Sequence, residues 1–350
     1  MARSRFILVI VALTALGVIA GCSRGKPRLQ PYKETRQLMG IEVAVSVYPP
    51  EGVSGRDAAD KAFAAIERVD REMSDYRTDS EVSKISANAG GAPVPVSAEV
   101  RNVIVRAAYF SRLSGGAFDV TIRPLVKLWQ TAGVDNKLPS EEAIAKAKAL
   151  VDWRQISVLN WTETEPSDSI KLGKAGMELE LGGIGKGFAA DAAIAALREA
   201  GVKSALVAAA GDMYALGSHP DGSPWLVGIQ SPDSEGESLP QTLSLTDMAV
   251  STSGDYRRYV EIEGRRYSHI IDPHTGRPVA RMASVTVVAP NATDADALAT
   301  ALSVLGPDKG MELVRELRNV QAMMIVRQDS GPPSVVMSDG FKAFITPESK

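Results

Sequence analysis

Leu206-Val207-Ala208-Ala209, Trp225-Leu226-Val227-Gly228-Ile229-Gln230, Thr242-Leu243-Ser244-Leu245 and Ala249-Val250-Ser251-Thr252 follow one another between Ala205 and Ile271, and Arg257 to Ile262 and Tyr267 to Ile271 complete the series. Each is a short run rich in β-branched or large apolar residues, and the connections between them are short and rich in turn formers, so all six predict strands. N-terminal to this block, Ile41, Val43, Val45 and Val47 recur at period two and stop at Pro49-Pro50, the pattern of a half-buried strand. Ala58, Ala62, Ile66, Val69 and Met73 recur at helical spacing and predict a helix from Gly55 to Met73, with another from Val100 to Leu113. A Glu- and Ala-rich helix beyond Ser140, strands at Ile156 to Leu159 and Met177 to Leu181, and a helix from Phe188 to Ala200 come next. C-terminal to the block lie a strand at Val285 to Ala289, a helix from Ala292 to Leu305, a second helix to Arg318, and strands at Ala322 to Val326 and Val335 to Met337. Runs of strands beside runs of helices predict an α+β fold with a mixed or antiparallel sheet and flanking helices, not a doubly wound dinucleotide fold.

The 350 residues carry 45% hydrophobic and 23% charged side chains with a formal net charge of -3, the balance of an ordinary globular chain. That balance offers no basic surplus for a phosphate backbone, so nucleic acid is not an expected partner. Arg3 and Arg5 precede an apolar run from Phe6 to Ala20, which meets Gly21 and the sole cysteine, Cys22. The run is shorter than the roughly 20 residues a spanning helix needs, and small residues before a cysteine suit a processing enzyme. Ile19-Ala20-Gly21-Cys22 resembles a bacterial lipobox, which makes residues 1–21 a signal peptide and Cys22 the lipidated mature N-terminus. Residues 22–31 then read as a polar tether, with the folded domain over 32–350.

Leu181-Gly182-Gly183-Ile184-Gly185-Lys186-Gly187 forms a glycine-rich turn between an expected strand and helix. Such a turn lets backbone N–H groups approach phosphate, with Lys186 as a point charge, although it serves equally as a packing device. It is not a Walker loop, because Glu180 stands where the first glycine is needed and Gly187 follows the lysine. In Ala292-Thr293-Asp294-Ala295-Asp296-Ala297-Leu298-Ala299-Thr300, Asp296 and Thr300 are four apart and project from one helical face. One carboxylate and one hydroxyl with a nearby carbonyl make a hard-oxygen set for Mg2+; the plainer reading is a dipole-favouring Asp and a packed Thr. Three histidines and one cysteine give little support to zinc. Ser251 to Tyr259 and Tyr267 to Pro273 crowd hydroxyls, Asp255, Arg257 and His269 into adjacent strands, where His269 is a general acid/base or simply a polar strand residue. No Gly-x-Ser-x-Gly elbow accompanies it. Tyr76 lies among polar groups in Met73 to Glu81, as a ring-stacking platform would, and Asp119 in Ser114 to Thr121 could accept from an adenine amine or a ribose.

These segments in this order resemble the ApbE family of FAD:protein FMN transferases, from Met39-Gly40 through Leu305. The matches lie in Met73 to Ser83, Gly115 to Trp129, Leu179 to Asp191, Ala249 to Tyr259 with Ser268 to Pro273, and Thr293 to Thr300. The resemblance implies a T-fold-like α+β architecture with FAD bound between two lobes. It implies a Mg2+ site made by Asp296, Thr300 and the backbone carbonyl of Gly185, where the family usually has alanine. Met39 and Tyr76 match positions near the flavin and Asp119 the adenosine side. Lys186, Phe188, Arg257, His269 and Ile271 fall in motifs lining the phosphates and the reacting site. Ala208-Ala209-Ala210 stands where many relatives have a more glycine-rich run before Gly211-Asp212. The implied reaction moves FMN from FAD onto a Thr or Ser hydroxyl of an acceptor protein and releases AMP, with His269 as first candidate base and Asp255 as second. Mg2+-dependent hydrolysis of FAD to FMN and AMP, or flavin binding without catalysis, are the rival readings. The implied setting is the periplasmic side of a bacterial membrane, inner or outer, with flavoprotein subunits of membrane electron-transfer complexes as acceptors.

Overall fold

A computed structural model describes residues 29–159, 168–230, 238–254, 259–328 and 330–346 of the chain. The proposed signal peptide and Cys22 lie outside the described residues, as do Asp255 and Arg257. Among the described residues no helix is long and apolar enough to cross a membrane.

The sheet starts with β1 (Tyr32–Leu38) and β2 (Ile41–Tyr48), paired along their whole length from Tyr32↔Val47 to Leu38↔Ile41. In β2 the period-two apolar set Val43, Val45 and Val47 is fully buried, while its neighbours face partly outward. Six more strands follow: β3 (Ser204–Ala209), β4 (Asp212–Leu216), β5 (Met248–Gly254), β6 (Met282–Ala289), β7 (Gln321–Val326) and β8 (Ser334–Met337). They join β1 and β2 in a single eight-stranded sheet in which chain order is spatial order and every neighbouring pair is antiparallel.

Helices cover one face of the sheet. α1 (Gly55–Met73) begins where Ser54 Oγ accepts the Asp57 N–H at 3.0 Å, and its stripe Ala58, Ala62, Phe63, Ile66 and Val69 is fully buried. α2 (Ala98–Leu113), α3 (Gly185–Glu199) and α4 (Ala292–Glu316) complete that layer. Ala189, Ala190 and Ala193 in α3, and Ala295, Ala297, Ala299 and Ala301 in α4, are fully buried, so the helices pack on small side chains. On the other face, Trp225 and Leu243 of the hairpin Trp225–Gln230/Ser238–Leu245 pack with Val250, Val288, Met323 and Phe341. With both faces covered, every residue of β6 is buried. A third cluster joins Leu125 and Trp129 of the helix Arg123–Val134 to Ile262 and Ile271, beneath the hairpin Tyr259–Ile262/Arg265–Ser268.

The α+β class with a largely antiparallel sheet is as expected, and three local expectations change. Met177 to Leu181 buries Met177, Leu179 and Leu181 alternately yet makes no strand, only an isolated bridge from Glu178 to Ile122, because no ladder partner runs beside it. Tyr267 to Ile271 breaks into Arg265–Ser268 and Ile271–Asp272. The two C-terminal helices abut within α4 at Gly306, whose φ of 75° and ψ of 179° break the helix just before Pro307. The helix Arg123–Val134 and the strand Ser169–Leu172 had no clear sequence signal of their own.

Candidate functional site

The glycine-rich turn closes on itself through the Gly185 N–H donating to the Leu181 carbonyl at 2.7 Å and the Ile184 N–H to the same oxygen at 3.0 Å. Two of its glycines are demanded by the neighbouring helix. A Cβ at Gly187 would lie 2.1 Å from the Ala292 carbonyl oxygen and 2.8 Å from Asp296 Cβ, and one at Gly183 would lie 2.9 Å from Thr300 Oγ1. The first turns of α3 and α4 therefore touch. Asp191 of α3 locks them together by accepting the N–H groups of Ala292 and Thr293, each at 2.8 Å, and the Thr293 hydroxyl. Asn291 Oδ1 caps α4 by accepting the Asp294 N–H at 2.8 Å, and Arg106 of α2 forms a bidentate pair with Asp294.

At this junction Asp296 is 1% exposed. Its Oδ2 accepts the Gly187 N–H at 3.0 Å, and its two oxygens lie 3.1 and 3.2 Å from Lys186 Nζ. The same ammonium donates to the Gly182 carbonyl at 2.8 Å and lies 3.3 Å from Oδ2 of Asp212, the first residue of β4. Asp212 in turn receives the Ser251 hydroxyl from β5 on its other oxygen. Burial and the neighbouring Asp212 push Asp296 up to about 7, against the pull of Lys186 and the Gly187 N–H. For Lys186 burial opposes the charge, but Asp212 and Asp296 together outweigh it and hold the ammonium above the ordinary lysine range.

A second constellation leads to the same turn. The Arg123 guanidinium pairs with Asp75 at 2.6 Å and Glu180 at 2.7 Å, and the Tyr76 ring lies over it, 5.1 Å from ring centroid to guanidinium carbon. Tyr76 is 73% exposed, so its outer face is open to a ligand. Burial first, then the charge of Asp75, raises Glu180 to about 7 despite Arg123. The Gly115 turn adjoins the segment after Ile271: His274 Nε2 lies 3.1 Å from the Gly115 carbonyl oxygen, and Lys148 Nζ donates to the His274 carbonyl at 2.6 Å.

The expected residues are thus only partly gathered. Asp296, Thr300 and Gly185 lie on the two helices that touch at the turn: Gly185 opens α3, Asp296 faces Gly187, and Thr300 faces Gly183. Lys186 faces two carboxylates instead of standing open to a diphosphate. Asp119 is 8% exposed and its oxygens are occupied by the Thr121 N–H and hydroxyl and the Trp153 N–H, a local clamp that burial raises above its usual range. Phe188, two residues past Lys186 and so roughly 200° around the helix, lines a groove of about 940 Å3 with Arg68, Arg106, Asp191 and Asp294, which neither Asp212 nor Asp296 lines. Ile271 is 6% exposed and packs on Trp129 and Leu125. Met39 tops the β1–β2 hairpin at φ 52°, and His269 is exposed just past the strand Arg265–Ser268.

Asp212, Asp191 and the Asp75–Arg123–Glu180 set were missed as site residues. Their signal was a charge inside an apolar run: Asp212 opens Asp-Met-Tyr-Ala-Leu, Glu180 lies in Met177 to Leu181, and Arg123 precedes Leu125 to Trp129 in a helix that buries it. The donors fit a divalent cation. Two carboxylates, a hydroxyl and a helix-start carbonyl are all hard oxygens, and a positive charge already stands between the carboxylates.

The profile of the ApbE family matches residues 39–324. The chain is 35% identical over 315 residues to the FAD:protein FMN transferase of Treponema pallidum (strain Nichols), covering 87% of each. To the FAD:protein FMN transferase of Escherichia coli (strain K12) it is 31% identical, covering 89% of this chain and 88% of that one. The crystal structure of the Pseudomonas stutzeri flavinyl transferase ApbE, apo form, superposes with a TM-score of 0.78 at 33% identity, over 90% of this chain and 96% of that one. The ApbE protein of Thermotoga maritima superposes with a TM-score of 0.81 at 29% identity, over 91% and 100%. A family profile over most of the folded residues and full-length structural likeness lead to one conclusion: the chain belongs to the ApbE family.

Proposed function

We propose that the chain transfers FMN from FAD to a Thr or Ser hydroxyl of an acceptor protein, leaving a phosphoester-linked flavin and free AMP. The observation that carries this reading is the buried Asp296 at the contact of two helix N-termini, against Gly187, with Thr300 of the same helix against Gly183 and the platform of Tyr76 tied to the start of the turn through Arg123 and Glu180. Each helix start presents roughly half a positive charge, which favours a diphosphate lying across the two first turns. Asp296, Thr300 and the Gly185 carbonyl would hold Mg2+. When bound, Mg2+ supplies positive charge that neutralises the diphosphate oxygens.

The residues of the chain orient the rest. Tyr76 offers a ring face to the isoalloxazine, and Met39 at the hairpin tip stands as its second contact. The acceptor hydroxyl oxygen attacks the FMN-side phosphorus, the bond to the AMP phosphate breaks, and AMP carries away the bridging oxygen. His269 takes the hydroxyl proton as first candidate, with Asp255 second. Lipidation of Cys22 would tether the domain to a membrane on the periplasmic side, within reach of acceptor subunits of electron-transfer complexes. Cys22→Ala should leave the protein without the lipid, read as loss of the acyl mass and of processing before residue 22.

The direct test incubates the chain with FAD, Mg2+ and a candidate acceptor fragment, then weighs the acceptor by intact mass. One added FMN, with AMP released and EDTA suppressing both, is the expected result. An unmodified acceptor with free FMN and AMP would identify a hydrolase instead, and an unmodified acceptor with intact FAD a flavin-binding protein. Asp296→Ala should abolish transfer and its Mg2+ dependence; normal Mg2+-dependent turnover in that variant would overturn the metal assignment.

A further inference from the structure

The Lys186 ammonium has three N–H bonds, and oxygens from three separate parts of the chain surround it. These are the Gly182 carbonyl at 2.8 Å, the Asp296 carboxylate at 3.1 and 3.2 Å, and Asp212 Oδ2 at 3.3 Å. Both carboxylate side chains are 2% exposed. Asp212 is aimed from the β3–β4 hairpin, and the Ser251 hydroxyl engages only its outer oxygen. The inner oxygen is buried, receives no hydrogen bond, and meets the ammonium alone as a charge contact.

Two buried carboxylates on either side of one ammonium are costly without positive charge between them, so a cation is required there. A divalent ion matches two carboxylates better than one ammonium does, and hard oxygens are what it prefers. We propose that Lys186 is a tethered placeholder: its ammonium stands between Asp212 and Asp296 where the divalent cation binds, and Asp212 is a second carboxylate of that cation site. Cation entry then releases the ammonium toward the anionic substrate, whose diphosphate offers it a new partner. Cation and diphosphate binding are coupled through this one side chain, each strengthening the other. This inference rests on the proposed Mg2+-dependent reaction but concerns binding, and it is read without turnover.

The experiment measures Mg2+ and Mn2+ binding calorimetrically to the flavin-free full-length chain in detergent, with thermal midpoints in EDTA and in Mg2+. Lys186→Met removes the competitor, so it should bind the cation at least about tenfold tighter than wild type. It should also melt lower in EDTA and regain its midpoint with Mg2+, including the case in which it folds only with the metal. Asp212→Asn, which keeps the lysine paired to Asp296, should bind the cation at least about tenfold more weakly. In wild type, adding ADP as a diphosphate probe should tighten Mn2+ binding, and in Lys186→Met that gain should shrink. A Lys186→Met chain that binds Mg2+ no tighter than wild type and is not rescued by it would overturn the placeholder. Unchanged affinity in Asp212→Asn would remove Asp212 from the site. FMN transfer by the wild type, followed in parallel, reports on the underlying reaction independently of either result.

Discussion

At the scale of single residues, two non-glycine positions hold left-handed backbone beside the site. Ala210, at φ 55°, turns β3 into β4 just before Asp212, and Met39, at φ 52°, turns β1 into β2. A left-handed L-residue costs roughly 1–2 kcal/mol, so Ala210→Gly should stabilise the protein by about 1 kcal/mol in denaturant melts with little change in FAD binding. Met39→Gly should stabilise similarly yet weaken FAD binding, because there the strain positions a side chain that we assign to the flavin. Glu180 supplies a pH signature. Its folded-state carboxyl holds a proton up to about 7 and the unfolded one releases it near 4.5, so its contribution is full below 4.5 and lost as pH rises through 7. Thermal midpoints of the ligand-free protein should accordingly fall over that window more steeply for wild type than for Glu180→Gln; equal slopes would place the titration elsewhere.

At the scale of elements, the site is a contact between two helix starts, and its integrity depends on how closely they meet. Gly187→Ala would drive a methyl into the Ala292 carbonyl, and with backbone as the obstacle the cost should be at least about 2 kcal/mol, with cation affinity lost alongside. Asp191→Ala removes three hydrogen bonds that tie α4 to α3 and leaves buried donors unpaired, a loss of about 2–3 kcal/mol by chemical denaturation. Both helices were legible in the sequence from their periodicity, and so was the turn before α3. Their mutual contact was not, because more than ninety residues separate Gly187 from Ala292 and periodicity reports only which face is apolar. The failed strand at Met177 to Leu181 has the same origin: alternating burial is local, but a ladder needs a neighbour.

At the scale of the whole molecule, ligand binding should appear as stability. Saturation with FAD and Mg2+, each at a hundredfold over its dissociation constant, adds about 2.7 kcal/mol per ligand, read as a rise of several degrees in the thermal midpoint, and the Mg2+ share should vanish in Asp296→Ala. The sequence alone determined the α+β class, the principal helices and most of the strands, and the family, because hydrophobic period, turn chemistry and ordered motifs are local properties of the chain. It also placed Asp296 and Thr300 on one helical face, since they are four residues apart. Only the tertiary structure decided that Asp212 faces Asp296 across Lys186, that Arg123 joins Tyr76 to Glu180, and that Phe188 lines a groove that neither Asp212 nor Asp296 lines. Those facts come from sheet register and helix contacts between segments far apart in the chain. Whether a buried charge is paired depends on what the fold brings within about 3 Å of it, which no local pattern records.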